Sequence, residues 1–242
     1  MTKPYGQYCP VALATEILGE RWTILVVMVL ADGFGRFNEI QRALPRISAS
    51  TLAQRLRSLQ AAGVIERRPG EQGEKWHYYL TEAGAELGEI VYSIGTWGHR
   101  WGRDLATDDL DPEHLIWSMH MRMNLEIMPD GRTTIAFEFS DQPQNKRYFW
   151  IVVNDGVADA CLKHPGFDED VRVISKLQPF TDAWRGFSSL HDEVRSGRIL
   201  VKGPSKLAKA FPDWLLLSML AREERRRPGR ERSLQSRTRK SD

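Results

Sequence analysis

Residues 47–63 read ISASTLAQRLRSLQAAG, and this stretch decides how the front half of the chain folds. Ser48 stands where an N-cap belongs, its hydroxyl able to accept from a first-turn backbone N–H. Gly63 supplies a natural C-terminal stop. At about 100° per residue, Ala49, Leu52, Leu56 and Leu59 fall on one side. Ser50, Thr51, Gln54, Arg55 and Ser58 fall on the opposite side, with Arg57 at its border. The expected element is a helix held by leucines. Its outward side offers hydroxyls, an amide and guanidinium groups, and no carboxylate.

On the N-terminal side, Val11, Leu13, Ile17 and Leu18 suit an amphipathic helix stopped by Gly19. Residues 22–30 (WTILVVMVL) predict a central buried helix, and residues 37–44 a third, with Phe37, Ile40 and Leu44 on one side and Pro45 closing it. On the C-terminal side, residues 64–68 predict a strand, 69–74 a tight turn and 75–80 the returning strand. Thr81 then caps a helix carrying Leu87, Ile90, Val91, Ile94, Trp97 and Trp101 to about Leu105.

Three helices followed by a two-stranded wing form the helix-turn-helix plan, whose second helix lies in the major groove of DNA. A helix about 10–12 Å across fills a groove about 12 Å wide with one side while the other stays bonded to its core. Arg55 is expected to donate two hydrogen bonds to guanine, and Gln54 to pair with adenine. Ser48, Ser50, Thr51, Arg57 and Ser58 are expected at phosphates or base edges. Arg67 and Arg68 flank the wing, whose tip carries Gln72 and Lys75 for the backbone or the minor groove.

Composition agrees with a globular protein: 41% hydrophobic and 27% charged residues over 242 positions, room for two modest domains. The net charge of +2 says little, but its distribution says more. Between Arg36 and Arg68 lie seven arginines against Glu39 and Glu66 alone, a local excess that attracts phosphates. Residues 108–221 carry 13 basic against 17 acidic side chains, a poor partner for nucleic acid. No apolar run approaches the ~18 residues of a membrane span, and the first residues lack a signal-peptide layout, so a cytoplasmic location without membrane contact is expected. Cys9 and Cys161 are too few for a metal quartet and fit a reducing compartment. The six histidines show no metal-ligand spacing, and Gly33-Phe-Gly35 is only a fragment of a dinucleotide fingerprint. No nucleophile elbow is present. Neither catalytic residues, nor a metal, nor a cofactor is expected.

Beyond the acidic, proline-closed joint at residues 108–112 the periodicity changes. Residues 125–128, 133–139 and 148–153 predict strands, Asn154-Asp-Gly156 a hairpin turn, and 157–164 with 170–175 a further strand pair. Residues 177–187, 190–196 and 206–220 predict helices, with 198–202 extended between them. From Arg222 the chain is arginine-rich with few apolar residues, and disorder is expected. That tail would add sequence-blind attraction to DNA or simply be solvated.

The segments YGQYCPVALATEILGERWTILVVMVL, GFGRFNEIQRALPRISASTLAQRLRSLQAAGVIERR and YYLTEAGAELGEIVYSIGTWG resemble the HxlR-type winged helix regulators, relatives of the MarR group. The resemblance covers residues 5–105. It rests on Cys9-Pro10 followed by Gly19-x-x-Trp22, the RFNEI block, Ile47-Ser48 with Leu52 and Leu56, and Leu80-Thr81-x-x-Gly84. It implies a homodimer on inverted-repeat operators, joined through the outer helices: Val11 and Leu18 from the first, and Ile90, Ile94, Trp97 and Trp101 from the last. Spacing alone equally allows Trp97 and Trp101 as one chain's own core. Some members of that family use a cysteine near the first helix as a redox sensor, the position of Cys9, although a plain structural thiol is the simpler reading. The wing RRPGEQGEKW is more acidic than the family pattern, which puts strong wing–backbone contacts in doubt.

Residues 119–220 resemble the sterol carrier protein type of domain through strand order and the block Gly197-x-Ile-x-Val-x-Gly-x-x-x-Leu-Ala208. That resemblance implies a sheet covered by helices around an apolar tunnel, with Trp117, Trp150, Phe180, Trp184 and Trp214 as candidate lining. The same aromatics serve equally as ordinary core.

The expected fold is therefore α+β. A winged helix-turn-helix domain (1–107) precedes a mixed sheet-and-helix domain resembling sterol carrier proteins (108–221) and a basic tail (222–242). The expected partners are double-stranded DNA, a second copy and an apolar small-molecule effector. The competing expectation is a lipid-like carrier whose N-terminal part mainly dimerises.

Overall fold

The computed structural model describes residues 4–70 and 76–227, so Gln72, Lys75 and the tail from residue 228 lie outside the described residues. The chain divides into two compact units, Met1–Gly95 and Thr96–Asp242.

The first unit runs α1 (Pro10–Leu18), α2 (Thr23–Ala31), α3 (Phe37–Ala43), α4 (Ala49–Ala61), β1 (Ile65–Pro69), β2 (Trp76–Leu80) and the start of α5 (Glu82–Trp101). Helix α2 is apolar on nearly every side because it sits at the centre, against α1, α3, α4 and β2. It buries Thr23, Val26, Val27, Val29 and Leu30. Leu52, Leu56 and Leu59 fix α4 to that core, whereas Ala49, expected on the same side, is exposed. Strands β1 and β2 pair antiparallel from Ile65 opposite Leu80 to Pro69 opposite Trp76. Two glycines let the backbone close in. A Cβ at Gly35 would lie 2.4 Å from the Tyr78 carbonyl oxygen, and one at Gly84 would lie 2.2 Å from that of Val64. Gly33-Phe-Gly35 therefore serves wing packing: the Tyr78 N–H donates to the Gly35 carbonyl at 2.9 Å.

The second unit adds α6 (Pro112–His120) and a five-stranded sheet: β3 (Thr133–Phe139), β4 (Tyr148–Asn154), β5 (Val157–Cys161), β6 (Val171–Ser175) and β7 (Ile199–Lys202). The strand order is β5-β4-β3-β6-β7. Among the described strands only β3 and β6 pair parallel. Helices α7 (Leu177–Trp184), α8 (Leu190–Arg195) and α9 (Ser205–Ala210) follow β6 and β7. Alternate residues of the strands, Ile135, Phe137, Phe139, Phe149, Ile151 and Val153 among them, form one core with Phe180, Trp184, Phe211 and Trp214. Phe180 meets Phe137 and Phe139 edge-on at 5.9 and 6.1 Å.

Several expectations are corrected here. Residues 157–161 and 171–175 are strands but not a pair, since β4 and β3 lie between them. Residues 125–127 form a 3-10 turn instead of a strand. The helix expected over 206–220 stops at Ala210, passes through a 3-10 turn at Phe211–Trp214 and continues without helix. The division into two compact units falls after Gly95, inside α5; the expected joint lay at residues 108–112. That acidic stretch is a helix start: Asp111 caps α6, accepting from the Glu113 and His114 N–H groups at 3.1 and 3.3 Å. Nor are residues 222–227, the described start of the tail, without hydrogen bonds. Arg225 donates to the His99 and Gly102 carbonyls at 2.8 and 2.5 Å, closing the end of α5, and Glu223 accepts from Arg100.

Candidate nucleic-acid interface

The candidate interface is built on α4 and the wing that follows it. Ser48 caps α4, its hydroxyl accepting the Thr51 N–H at 3.2 Å. The same hydroxyl lies 2.8 Å from that of Thr51 and 3.1 Å from that of Ser50, so three hydroxyls gather at the helix start. There the free N–H groups and the positive end of the helix dipole favour anions. Along the helix, Ser50, Gln54, Arg57 and Ser58 are exposed and Thr51 is half-buried. With no carboxylate among residues 49–61, this surface offers donors without repelling phosphate.

Arg55 departs from the expected arrangement. It is 6% exposed, and its Nη1 lies 2.8 Å from Glu20 Oε2. The reason is angular. At about 100° per residue, Arg55 sits roughly 60° from Leu52 and 40° from Leu59, on the flank of the leucine stripe. A guanidinium there meets the α1–α2 turn before it meets solvent, and the carboxylate of Glu20 compensates its charge. Arg55 is not presented to a groove as expected for a guanine reader. Glu20 went unremarked in the sequence, although a flank arginine on a helix without acids calls for a carboxylate from elsewhere.

The wing carries its cations on aromatic rings. The Arg67 guanidinium lies 4.8 Å from the Trp76 ring centre and 5.8 Å from that of Tyr78, and Arg68 lies 4.4 Å from that of Tyr79. Such stacking narrows the rotamers of long side chains while leaving their N–H donors outward. Arg68 is partly neutralised by Glu66 at 3.1 Å. His77, opposite Arg68 on the paired strand, accepts from Arg36 Nε at 2.9 Å, tying the start of α3 to the wing.

Helix α1 buries none of its residues; Val11 and Ile17 are exposed and Leu18 is half-buried. On α5, Ile90, Ile94, Trp97 and Trp101 recur at helical spacing and are all exposed, Trp97 to 64%. These four side chains form an exposed apolar stripe along one side of the helix. The opposite side of α5 is fastened to the core: Val91 is buried, and the Tyr92 hydroxyl donates to Asp32 at the end of α2. Burial, more than that bond, pushes the Tyr92 phenol up to about 12. Cys9 is the N-cap of α1 and is half-buried.

Of the candidate ligand aromatics, Phe180, Trp184 and Trp214 come together in the core of the second unit. Trp150 points to the other side of the sheet from Phe149 and Ile151, donates its indole N–H to Glu169 at 3.1 Å and meets His164 at 5.2 Å. Trp117 packs edge-on against His120 at 4.6 Å. The five do not form one lining. Among the described residues, no group of three or more His, Cys, Asp or Glu is placed to hold a metal ion, and no helix is long and apolar enough to cross a membrane.

The family model for HxlR-like helix-turn-helix proteins matches residues 17–105. An uncharacterized HTH-type transcriptional regulator of Bacillus subtilis, YvaP, is 37% identical over 98 residues, 40% of this chain and 91% of the relative. The HTH-type transcriptional regulator YodB of the same organism is 37% identical over 95 residues, 38% of this chain and 85% of the relative. The solved reduced form of YodB aligns at 35% identity over 39% of this chain and 94% of its own, with a TM-score of 0.35.

Proposed function

The chain belongs to the HxlR-like helix-turn-helix family, and from that premise we propose that it is a transcriptional regulator that reads double-stranded DNA with α4 and braces it with the wing. The observation that carries the proposal is the acid-free surface of α4, where Ser50, Gln54, Arg57 and Ser58 are exposed in front of a leucine-anchored core. Gln54, about opposite the leucine stripe, is the base reader, and Arg57 takes the role of outward cation that Arg55 vacates. Ser48, Ser50 and Thr51 receive a phosphate at the helix start, and Arg67 and Arg68 contact the backbone beside the groove. Gln72 and Lys75, which follow β1 in sequence, complete the proposed set of backbone contacts.

Two copies bind an inverted repeat, joined through Val11 and Leu18 on α1 and Ile90, Ile94, Trp97 and Trp101 on α5. The exposure of the α5 stripe supports this, since a lone chain would leave it wet. The second unit is the regulatory half, a sterol-carrier-like domain that takes an apolar effector; its mixed five-stranded sheet and aromatic core support that assignment. An effector regulates only through unequal affinity for DNA-competent and DNA-incompetent dimers. Cys9, at the cap of α1, is a candidate thiol sensor within the same dimer.

The test is fluorescence anisotropy on a duplex that the protein itself selects from a randomised pool. Gln54→Ala is expected to cost about 1–3 kcal/mol and relax preference at one base pair. Arg57→Ala is expected to weaken all sequences alike and lower the salt slope by about one. If no duplex is enriched and binding shows no salt dependence, the second unit's carrier chemistry becomes the protein's business and the regulator reading is lost.

A further inference from the structure

Arg55 is buried on a helix whose Ser50, Gln54, Arg57 and Ser58 are exposed, and its partner comes from outside that helix. Glu20 lies in the turn joining α1 to α2, where its carbonyl accepts the Thr23 N–H at 3.1 Å. Two residues on, Trp22 adopts a left-handed backbone at φ 79°, a conformation that a bulky side chain holds only when its surroundings enforce it. The Arg21 guanidinium lies 5.2 Å from the Trp22 ring centre. The turn is thus a fixed object, and its carboxylate is the counter-charge that a buried guanidinium requires. Among the described residues Arg55 Nε has no hydrogen-bond partner, so the Glu20 contact carries the compensation.

We propose that Arg55 is a positioning residue for DNA reading: through Glu20 it fixes the roll of α4 about its axis and ties the reading helix to the α1–α2 turn. The proposal rests on the reading of α4 as the groove element. The leucines alone define a broad apolar side that tolerates some rotation of the helix. A directional ion pair on one flank of that side does not, so it sets which residues stand at the crest. With the pair intact the crest is Ser50, Gln54, Arg57 and Ser58. A displacement of α1, which bears the open apolar side and the Cys9 cap, would reach α4 through this contact.

The experiment compares Glu20→Gln, Arg55→Met and the exchanged pair Glu20→Arg with Arg55→Glu in the full chain. Each variant is bound to the duplex that the wild type selects from a randomised pool and to a scrambled duplex of the same composition. Glu20→Gln, folded by circular dichroism and cooperative unfolding, is expected to lose about tenfold or more in preference for the selected over the scrambled duplex. Its salt slope should steepen by about one, because the released guanidinium gains a phosphate. A packing defect alone does not add a phosphate contact. Arg55→Met should lose preference without that steepening, and the exchanged pair should recover most of it. If a single variant fails to fold, recovery in the exchanged pair decides. Full preference in folded Glu20→Gln and Arg55→Met overturns the proposal. Relaxation at one base pair in Arg55→Met with Glu20→Gln unaffected also overturns it, and makes Arg55 a direct reader while DNA reading stands. A wild type that prefers no duplex over its scramble removes the underlying reading, and the proposal with it.

Discussion

Replacing Trp97 by alanine tests the dimer most directly. An indole side chain buries about 150–250 Å² when fully covered, and Trp97 stands 64% exposed. About 100–160 Å² is therefore available for cover in each chain, equivalent to about 2.5–4 kcal/mol at 25 cal/mol per Å². In a two-fold interface the same side chain counts twice. That upper bound shrinks because alanine keeps its Cβ and because area converts poorly into affinity. A net loss of about 3 kcal/mol is expected, which weakens dimerisation by about a hundredfold. Sedimentation velocity over a nanomolar to micromolar range reads the constant. Trp76, also exposed at 53% but on the wing, supplies the control, and Trp76→Ala should leave the constant alone. A wild-type constant unchanged in Trp97→Ala, or a wild type monomeric at tens of micromolar, refutes the assignment of the α5 stripe.

Other expectations concern the scaffold. Leu56→Ala empties a fully covered site beneath α4 and should cost about 2–5 kcal/mol, read by urea unfolding; a loss below about 1 kcal/mol contradicts the packing described. Gly35→Ala sets a Cβ against the Tyr78 carbonyl and should loosen the wing, seen as faster hydrogen exchange at Tyr78 with the α2 core unchanged. Burial first, then the neighbouring Arg185 guanidinium, holds His99 below its ordinary value, opposed by its bond to the Glu223 carbonyl. The neutral ring's contribution is complete above the ordinary histidine pKa of about 6.5 and fades as pH falls from there through the lowered folded value. Stability should therefore drop on mild acidification, and His99→Gln should flatten that part of the profile; an unchanged slope removes His99 as its source.

The first unit was legible because its signals are local. Ser48, Gly63 and the leucine spacing define α4 within seventeen residues, and the wing pairs strands separated by only six residues of sequence. What escaped was the contact at long range. Reading the helix as two opposite sides assigned Arg55 outward, yet its angle places it on the flank, where the outcome depends on what packs there. The sequence offered four carboxylates before Arg55, at Glu16, Glu20, Asp32 and Glu39, and no spacing rule selects Glu20 among them. A count of angles would have moved Arg55 off the crest, and only the tertiary turn names its partner.

The second unit shows the complementary limit. Its strand segments were readable from alternation, because Phe137 and Phe139, or Phe149 and Ile151, must share a side of the sheet to share a core. Pairing was not readable. A hairpin turn argues for neighbours in sequence, so two successive strands invite the assumption of a third hairpin. Here β6 instead crosses to the far side of β3 and pairs parallel, with Ile135 opposite Val171 and Phe139 opposite Ser175. Parallel pairing requires a long crossover, and β4, β5 and residues 162–170 together supply it. The crossover is pinned by side chains that read as ordinary surface charge: Asp170 accepts the Thr134 N–H at 2.8 Å, and Glu169 holds both the Trp150 indole and the Arg172 guanidinium. Trp150 is thereby committed to a polar bond on the side of the sheet away from Phe180 and Trp214. A ligand cavity drawn from aromatic content alone merges two surfaces that the sheet keeps apart, so any effector site must be sought on one side or the other.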